Sequence, residues 1–253
     1  MPACTARAAA GLLRALACMV ALVCCADPAR AVDPGYYVVT VYDDPGLRTV
    51  DFRYWTVRPD GSGLVKWPEL GLGMNVNGRW YTEVLASYIG SSESAMRLNN
   101  LEWQNDFLLT QGQYPFDLAV HTLWVVPQNP SGSGASLEIG PALQTDVGRT
   151  QLNFNVFLER RFASGASPTQ LSYQWQVRYR WLHELHVGAQ GFGELGAWDH
   201  WASQEKQSHR AGPALFGSVP LGTGEIAWQA AYLVGKTFGA RGSMFTARLR
   251  YDF

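Results

Sequence analysis

From residue 32 onward, apolar and polar side chains alternate with a period of two, the mark of strands whose two faces meet different surroundings. The end of the chain shows it most plainly. Phe245, Ala247, Leu249, Tyr251 and Phe253 share one face, and Met244, Thr246, Arg248, Arg250 and Asp252 share the other. Leu171, Tyr173, Trp175, Val177, Tyr179 and Trp181 likewise oppose Gln170, Ser172, Gln174, Gln176, Arg178 and Arg180. Leu152, Phe154, Val156 and Leu158 oppose Gln151, Asn153, Asn155, Glu159 and Arg161, with Phe157 an apolar intruder among them. Shorter versions recur around Phe52, Val84, Trp103, Val120, Ile139 and Trp228.

Turn residues divide the pattern into about twelve strands, over 48–58, 64–77, 79–91, 97–111, 116–128, 134–147, 149–163, 169–182, 185–198, 208–220, 224–237 and 243–253. Connections after the even strands are tight: Asn77-Gly78, Gly112–Pro115, Gly148, His183-Glu184 and Leu221–Gly224. Those after the odd strands are mostly longer: Gly90–Met96, Asn129–Ser133, Ser164–Pro168 and Asp199–Gln207. Eleven residues at ~3.3 Å each, tilted by ~45°, rise roughly 25 Å, the height of a membrane's apolar band. Tyr36–Tyr42 is also strand-like, but Asp43-Asp44-Pro45-Gly46 interrupts it. The expectation for 32–47 is an N-terminal extension, periplasmic or tucked into the lumen, ahead of a barrel spanning 48–253.

Charge changes the picture. Only 16% of the 253 residues are charged, while Phe, Trp and Tyr make up 13%. No stretch after the N-terminus offers the ~20 apolar residues of a helical span. A net charge of −1 gives no footprint for nucleic acid. Residues 1–31 carry the parts of a secretory leader: Arg7 and Arg14, the apolar run Leu16–Ala26, and a small-x-small site at Ala29-Arg30-Ala31. Its removal takes away Arg7, Arg14, Arg30 and Asp27, moving the net charge to −3, and with it Cys4, Cys18, Cys24 and Cys25. Disulfides, thiolate metal sites and a cysteine nucleophile are then excluded. A lipoprotein signal at Cys24 or Cys25 is the competing reading, with Val23 and Cys24 poor matches to the small residue expected before the acylated position.

Alternation does not say which face is buried, because a secreted β-sandwich alternates too. Three features favour apolar side chains outward. Lysine, the usual guard of exposed sheet edges, is confined after the leader to Lys66, Lys206 and Lys236. Aromatics lie near strand ends, as Trp80, Tyr88, Trp124, Trp181, Tyr251 and Phe253 do, where interfacial girdles belong. The opposite face is rich in Arg, Gln, Asn and Glu. The closing SMFTARLRYDF, with Phe245, Leu249, Tyr251 and Phe253 in phase, resembles the C-terminal insertion signal of bacterial outer-membrane β-barrel proteins. That resemblance implies an all-β, antiparallel transmembrane barrel in the bacterial outer membrane, recognised by the barrel insertion machinery and bounded by outer-membrane lipid. AQGFGELGAWDHW and HRAGPALFGSVPLGTGEIAWQAAYLVG are similar to outer-membrane transporters of the phenol-degradation MetA-pathway type, through Glu194, Gly212–Leu215 and Gly222–Gly224. The GPAL of Gly140–Leu143 repeats that pattern, and the likeness implies a solute of small aromatic or apolar molecules.

With the polar face inward, the expected pore lining is Asp51, Arg53, Glu83, Glu102, Asp106, Asp117, His121, Glu138, Asp146, Glu159, Arg161, Arg178, Arg180, His186, Glu194, Arg210, Arg248 and Arg250. Acids dominate the first six strands and arginines the later ones, which sets a negative arc against a positive one. Such arcs either brace a closed wall with ion pairs or hold a transverse field across a water-filled route for small molecules. The enzyme alternative is an outer-membrane lipid hydrolase using Asp199, His200, Ser203, Ser208 and His209; on a loop, these read more simply as a solvated surface segment. His200 and His209 lack a third metal ligand at a convincing spacing, and no motif calls for a cofactor. The expectation is therefore a non-enzymatic, porin-like barrel, with a closed structural or receptor barrel as the other alternative.

Overall fold

The computed structural model describes residues 36–41, 48–128, 134–162, 167–237 and 240–253; the expected leader, residues 32–35 and residues 42–47 lie outside the described residues. Twelve long strands follow one another: β1 (Arg48–Pro59), β2 (Val65–Asn77), β3 (Trp80–Ser91), β4 (Arg97–Leu108), β5 (Asp117–Pro127), β6 (Ser136–Val147), β7 (Thr150–Arg161), β8 (Gln170–Tyr179), β9 (His186–Ala197), β10 (Ser208–Leu221), β11 (Gly224–Thr237) and β12 (Ala240–Asp252). A two-residue strand, His200–Trp201, folds back on Ala197 and Gly196. Each long strand pairs antiparallel with the next. The last returns to the first, from Thr49↔Asp252 to Pro59↔Gly242, closing a twelve-stranded barrel without a free edge. No helix of the described residues is long and apolar enough to cross a membrane, and the apolar surface lies on strands instead.

Strand limits depart from the sequence pattern by three residues at three turns, each with a local cause. β4 stops at Leu108 because the Asp117 carboxylate accepts hydrogen bonds from the Gly112 amide and the Thr110 hydroxyl, and so gathers the turn around itself. β8 stops at Tyr179, where the Trp181 amide bonds back to the Tyr179 carbonyl and the Leu182 amide to that of Leu185. β12 begins three residues early, since its ladder with β11 runs all the way to Thr237↔Ala240.

The two faces are inverted relative to a water-soluble protein. Leu72, Val84, Trp103, Phe154, Tyr232 and Leu249 are exposed on the outside, while Asp51, Arg53, Glu69, Glu83, Gln104 and His121 are almost wholly buried inside. The aromatic and leucine residues of the C-terminal pattern follow suit, with Phe245 and Leu249 outward and Met244 and Thr246 inward. Glycine-rich β9 is also explained on the outer face. The rings of Trp175 and Tyr173 from β8 lie over Gly191 and Gly193, where a Cβ atom would collide with them.

Candidate functional site

The interior is organised around Arg53, which is 1% exposed. Its Nε lies 2.7 Å from Asp51, one terminal nitrogen lies 2.5 Å from Glu83, and the other is 4.0 Å from Glu69. Strand geometry makes this possible. Asp51 and Arg53 are two residues apart on β1 and share its inner face, while Glu69 stands opposite Arg53 on β2. Gly71, beside them, leaves the space that the Glu83 carboxylate occupies. Arg248 of β12 approaches the same Asp51 at 2.7 Å, so the web crosses the seam where the barrel closes. Buried charges of this kind demand close, opposed partners.

Other pairs line the wall. His121 Nδ1 is 2.6 Å from Asp106, and its Nε2 is 3.8 Å from Glu138. Arg210 pairs with Glu194, Arg250 with Asp252 at 2.8 Å, and Arg180 with Asp146 at 2.9 Å.

Tyr36–Val41 lies inside this wall, and its six residues are buried or half-buried. Extended chain of that length covers roughly 17 Å. Its own alternation serves two half-walls. Tyr36 and Val38 pack with Trp55, Val57, Trp67, Phe192, Phe216, Leu233 and Met244. Tyr37, Val39 and Val41 pack with Ala119, Ala142 and Phe157. The intruding Phe157 thus has a structural reason: it is a contact for the inner segment, and its ring also lies 4.9 Å from that of His121.

Polar groups fix the segment's height. The Arg53 guanidinium carbon stands 3.6 Å from the Tyr37 ring centroid, and that of Arg210 stands 4.0 Å from Tyr36. The Tyr37 hydroxyl donates to Gln104 Oε1 at 2.5 Å. At Val39 the backbone amide donates to Gln174 Oε1 (3.1 Å) and the carbonyl accepts from Asn155 Nδ2 (2.9 Å). Side-chain amides thus replace the neighbouring strand that a buried backbone otherwise requires.

Of the residues expected to line a pore, Asp51, Arg53, Glu83, Glu102, Asp106, His121 and Arg210 are buried inside the barrel. Glu138, Glu159, Arg161, Arg178, His186, Glu194, Arg248 and Arg250 are half-buried. Asp117 organises its turn, and Asp146 with Arg180 forms an exposed pair near a strand end. The expected lining misses the uncharged Gln104, Asn155 and Gln174, and also Glu69. The first three stand in the polar phase of their strands, and their amides hold the inner segment. Glu69 sits among Trp67, Pro68 and Leu70, where alternation is too weak to assign a face.

The Asp199–His209 loop does not converge. Ser208 is buried on the inner face of β10, while the neighbouring His209 is outside, joined to the Tyr173 hydroxyl and to Gln207 at 2.9 Å each. Adjacent residues of one strand point to opposite faces, so these two cannot form a nucleophile–base pair. Among the described residues, no cluster of three or more His, Cys, Asp or Glu residues is arranged to hold a metal.

No protein-family model matches the chain, and no curated protein matches it in sequence. Solved structures do match its fold. An outer membrane channel from Pseudomonas putida F1 is similar over 88% of this chain and 99% of its own, with a TM-score of 0.58 and 12% identity. The NanC porin is similar over 81% of this chain and 98% of its own (TM-score 0.56, 10% identity). The KdgM porin is similar over 81% and 99% respectively (TM-score 0.54, 10% identity). The fold is that of outer-membrane β-barrels.

Proposed function

We propose that this protein is a bacterial outer-membrane channel that passes small molecules, with Tyr36–Val41 narrowing its route. The observation that carries the reading is the inversion of the barrel wall: apolar side chains face out along the strands, and buried charge faces in. The barrel folds of the neighbouring channel and porins support it.

In this reading the outer residues meet membrane lipid, and Phe245, Leu249, Tyr251 and Phe253 present the final strand to the insertion machinery. Both Arg48 and Phe253, which bond to each other's backbones, face the periplasm together with the short turns. Inside, the acids of β1–β6 and the arginines of β8–β12 set a transverse field beside the segment. The MetA-pathway likeness of β9–β11 supports a solute with an apolar or aromatic body.

A second reading is a closed structural barrel, favoured by the mutual pairing of most interior charges and by the segment that fills the middle. Planar-bilayer recordings separate the two. Discrete conductance steps from the purified, folded protein are expected for the channel; a silent bilayer contradicts it and favours the closed barrel.

A further inference from the structure

A cavity of about 260 Å³ lies between the inner segment and the barrel wall, bordered by Thr40, Gln151, Arg178, Phe216, Gln229 and Arg248. It lies at the end of the barrel that carries the short turns, with Gln151 and Arg178 each close to one of them. The volume falls just below the ~300–1,000 Å³ of sites for drug-sized ligands, which suits a single compact molecule.

The arginines around it are not equivalent. Arg248 is held by Asp51 and Arg250 by Asp252. Arg178 donates its Nε–H to His186 Nδ1 at 2.7 Å. Among the described residues, no carboxylate comes within ion-pair distance of it, and its two terminal amino groups have no hydrogen-bond partner. Half-buried and facing the cavity, this guanidinium offers a planar fork that no described carboxylate fills, the shape that a carboxylate takes up with two parallel bonds.

Two further groups are uncommitted among the described residues: the Gln229 amide and the Thr40 hydroxyl. Phe216, 2% exposed, supplies an apolar floor, with the Arg178 guanidinium carbon 5.4 Å from its ring centroid. A molecule whose anionic end meets Arg178 therefore lays its body against an aromatic face.

We infer that this cavity binds a small organic carboxylate with a flat apolar body. The excess positive charge rejects cations, and a neutral solute leaves the Arg178 fork empty. As the station of a transported solute, the site deepens the channel reading and rests on it. Because Thr40 borders the cavity, the bound acid touches the same segment that narrows the route.

Isothermal titration of the purified, full-length barrel in detergent micelles, with benzoate as probe and benzamide as its neutral counterpart, tests the site. Saturable benzoate binding is expected, at least roughly tenfold tighter than that of benzamide, the range of one charge-assisted hydrogen bond. Arg178→Gln, checked for folding by its heat-dependent gel mobility, should lose a similar factor, and Gln229→Ala a smaller one. Equal affinity for benzoate and benzamide overturns the inference without recourse to any variant, as does undiminished benzoate binding by a folded Arg178→Gln. Full displacement of benzoate by equimolar sulfate also overturns it, reducing the cavity to a site for inorganic anions. Benzoate binding by a barrel that carries no current sustains the site and defeats the channel. Current without benzoate binding does the reverse.

Discussion

Arg53 and Tyr37 are stacked, with the guanidinium carbon 3.6 Å from the ring centroid. One member belongs to the wall and the other to the segment inside it, so this contact joins the charged web of the barrel to the obstruction in its middle. The same arginine neutralises Asp51 and Glu83 and lies at ion-pair distance from Glu69. Stability of the wall and seating of the segment are therefore coupled through one side chain.

Arg53→Met should be among the most damaging interior substitutions. It leaves a cluster of buried carboxylates short of its central cation, and breaking a buried pair costs about 3–5 kcal/mol. Urea unfolding in phospholipid vesicles measures the loss. Arg53→Lys, which keeps the charge but not the fork, should fall between the two. An unchanged midpoint for Arg53→Met would mean that the web does not brace the wall.

Asn155→Leu and Gln174→Leu each remove one hold on the Val39 backbone. Each should cost about 0.5–1.5 kcal/mol and raise hydrogen exchange at Val38–Thr40 while sparing the strand amides. The effects should not add, because Asn155 Nδ2 also donates to Gln174 Oε1 at 3.1 Å. Exchange spread evenly around the barrel would contradict a localised anchor.

Leu70→Arg probes the outward face. Leu70 is 54% exposed near the middle of β2, opposite Phe52 and Ala86. A charge there should destabilise the barrel in lipid by about 2–4 kcal/mol, the cost at the bilayer midplane. The same change at Leu221, at the end of β10, should cost about 0–1 kcal/mol. Equal effects at the two positions would place the outer face in water.

The barrel was legible in the sequence because its strands keep a period of two and its turns carry their own chemistry. The ladder of β12 is the clearest instance: Phe245 and Leu249 are outward and Met244, Thr246 and Asp252 inward. Strand ends were less legible where a side chain or a local backbone bond ended the ladder, as Asp117 does beyond β4. The seat of Tyr36–Val41 was harder still, because nothing in the pattern of a short strand-like piece chooses between the outside and the inside. The missing clue lay on other strands. Trp55, Trp67, Phe157, Phe192 and Phe216 are apolar residues in the inward phase, and they make sense only together, as a sleeve for an apolar segment. Recognising a sleeve requires the register of all twelve strands, which composition and spacing do not contain.

The central claim is that the lumen is the route and that Tyr36–Val41 narrows it. Single-channel conductance in planar bilayers, compared between the intact protein and a variant lacking residues 36–41, tests this most directly. Discrete steps from both proteins, severalfold larger for the shortened one at the same salt, are the predicted result. Identical steps from the two folded proteins, or none from either, would contradict it.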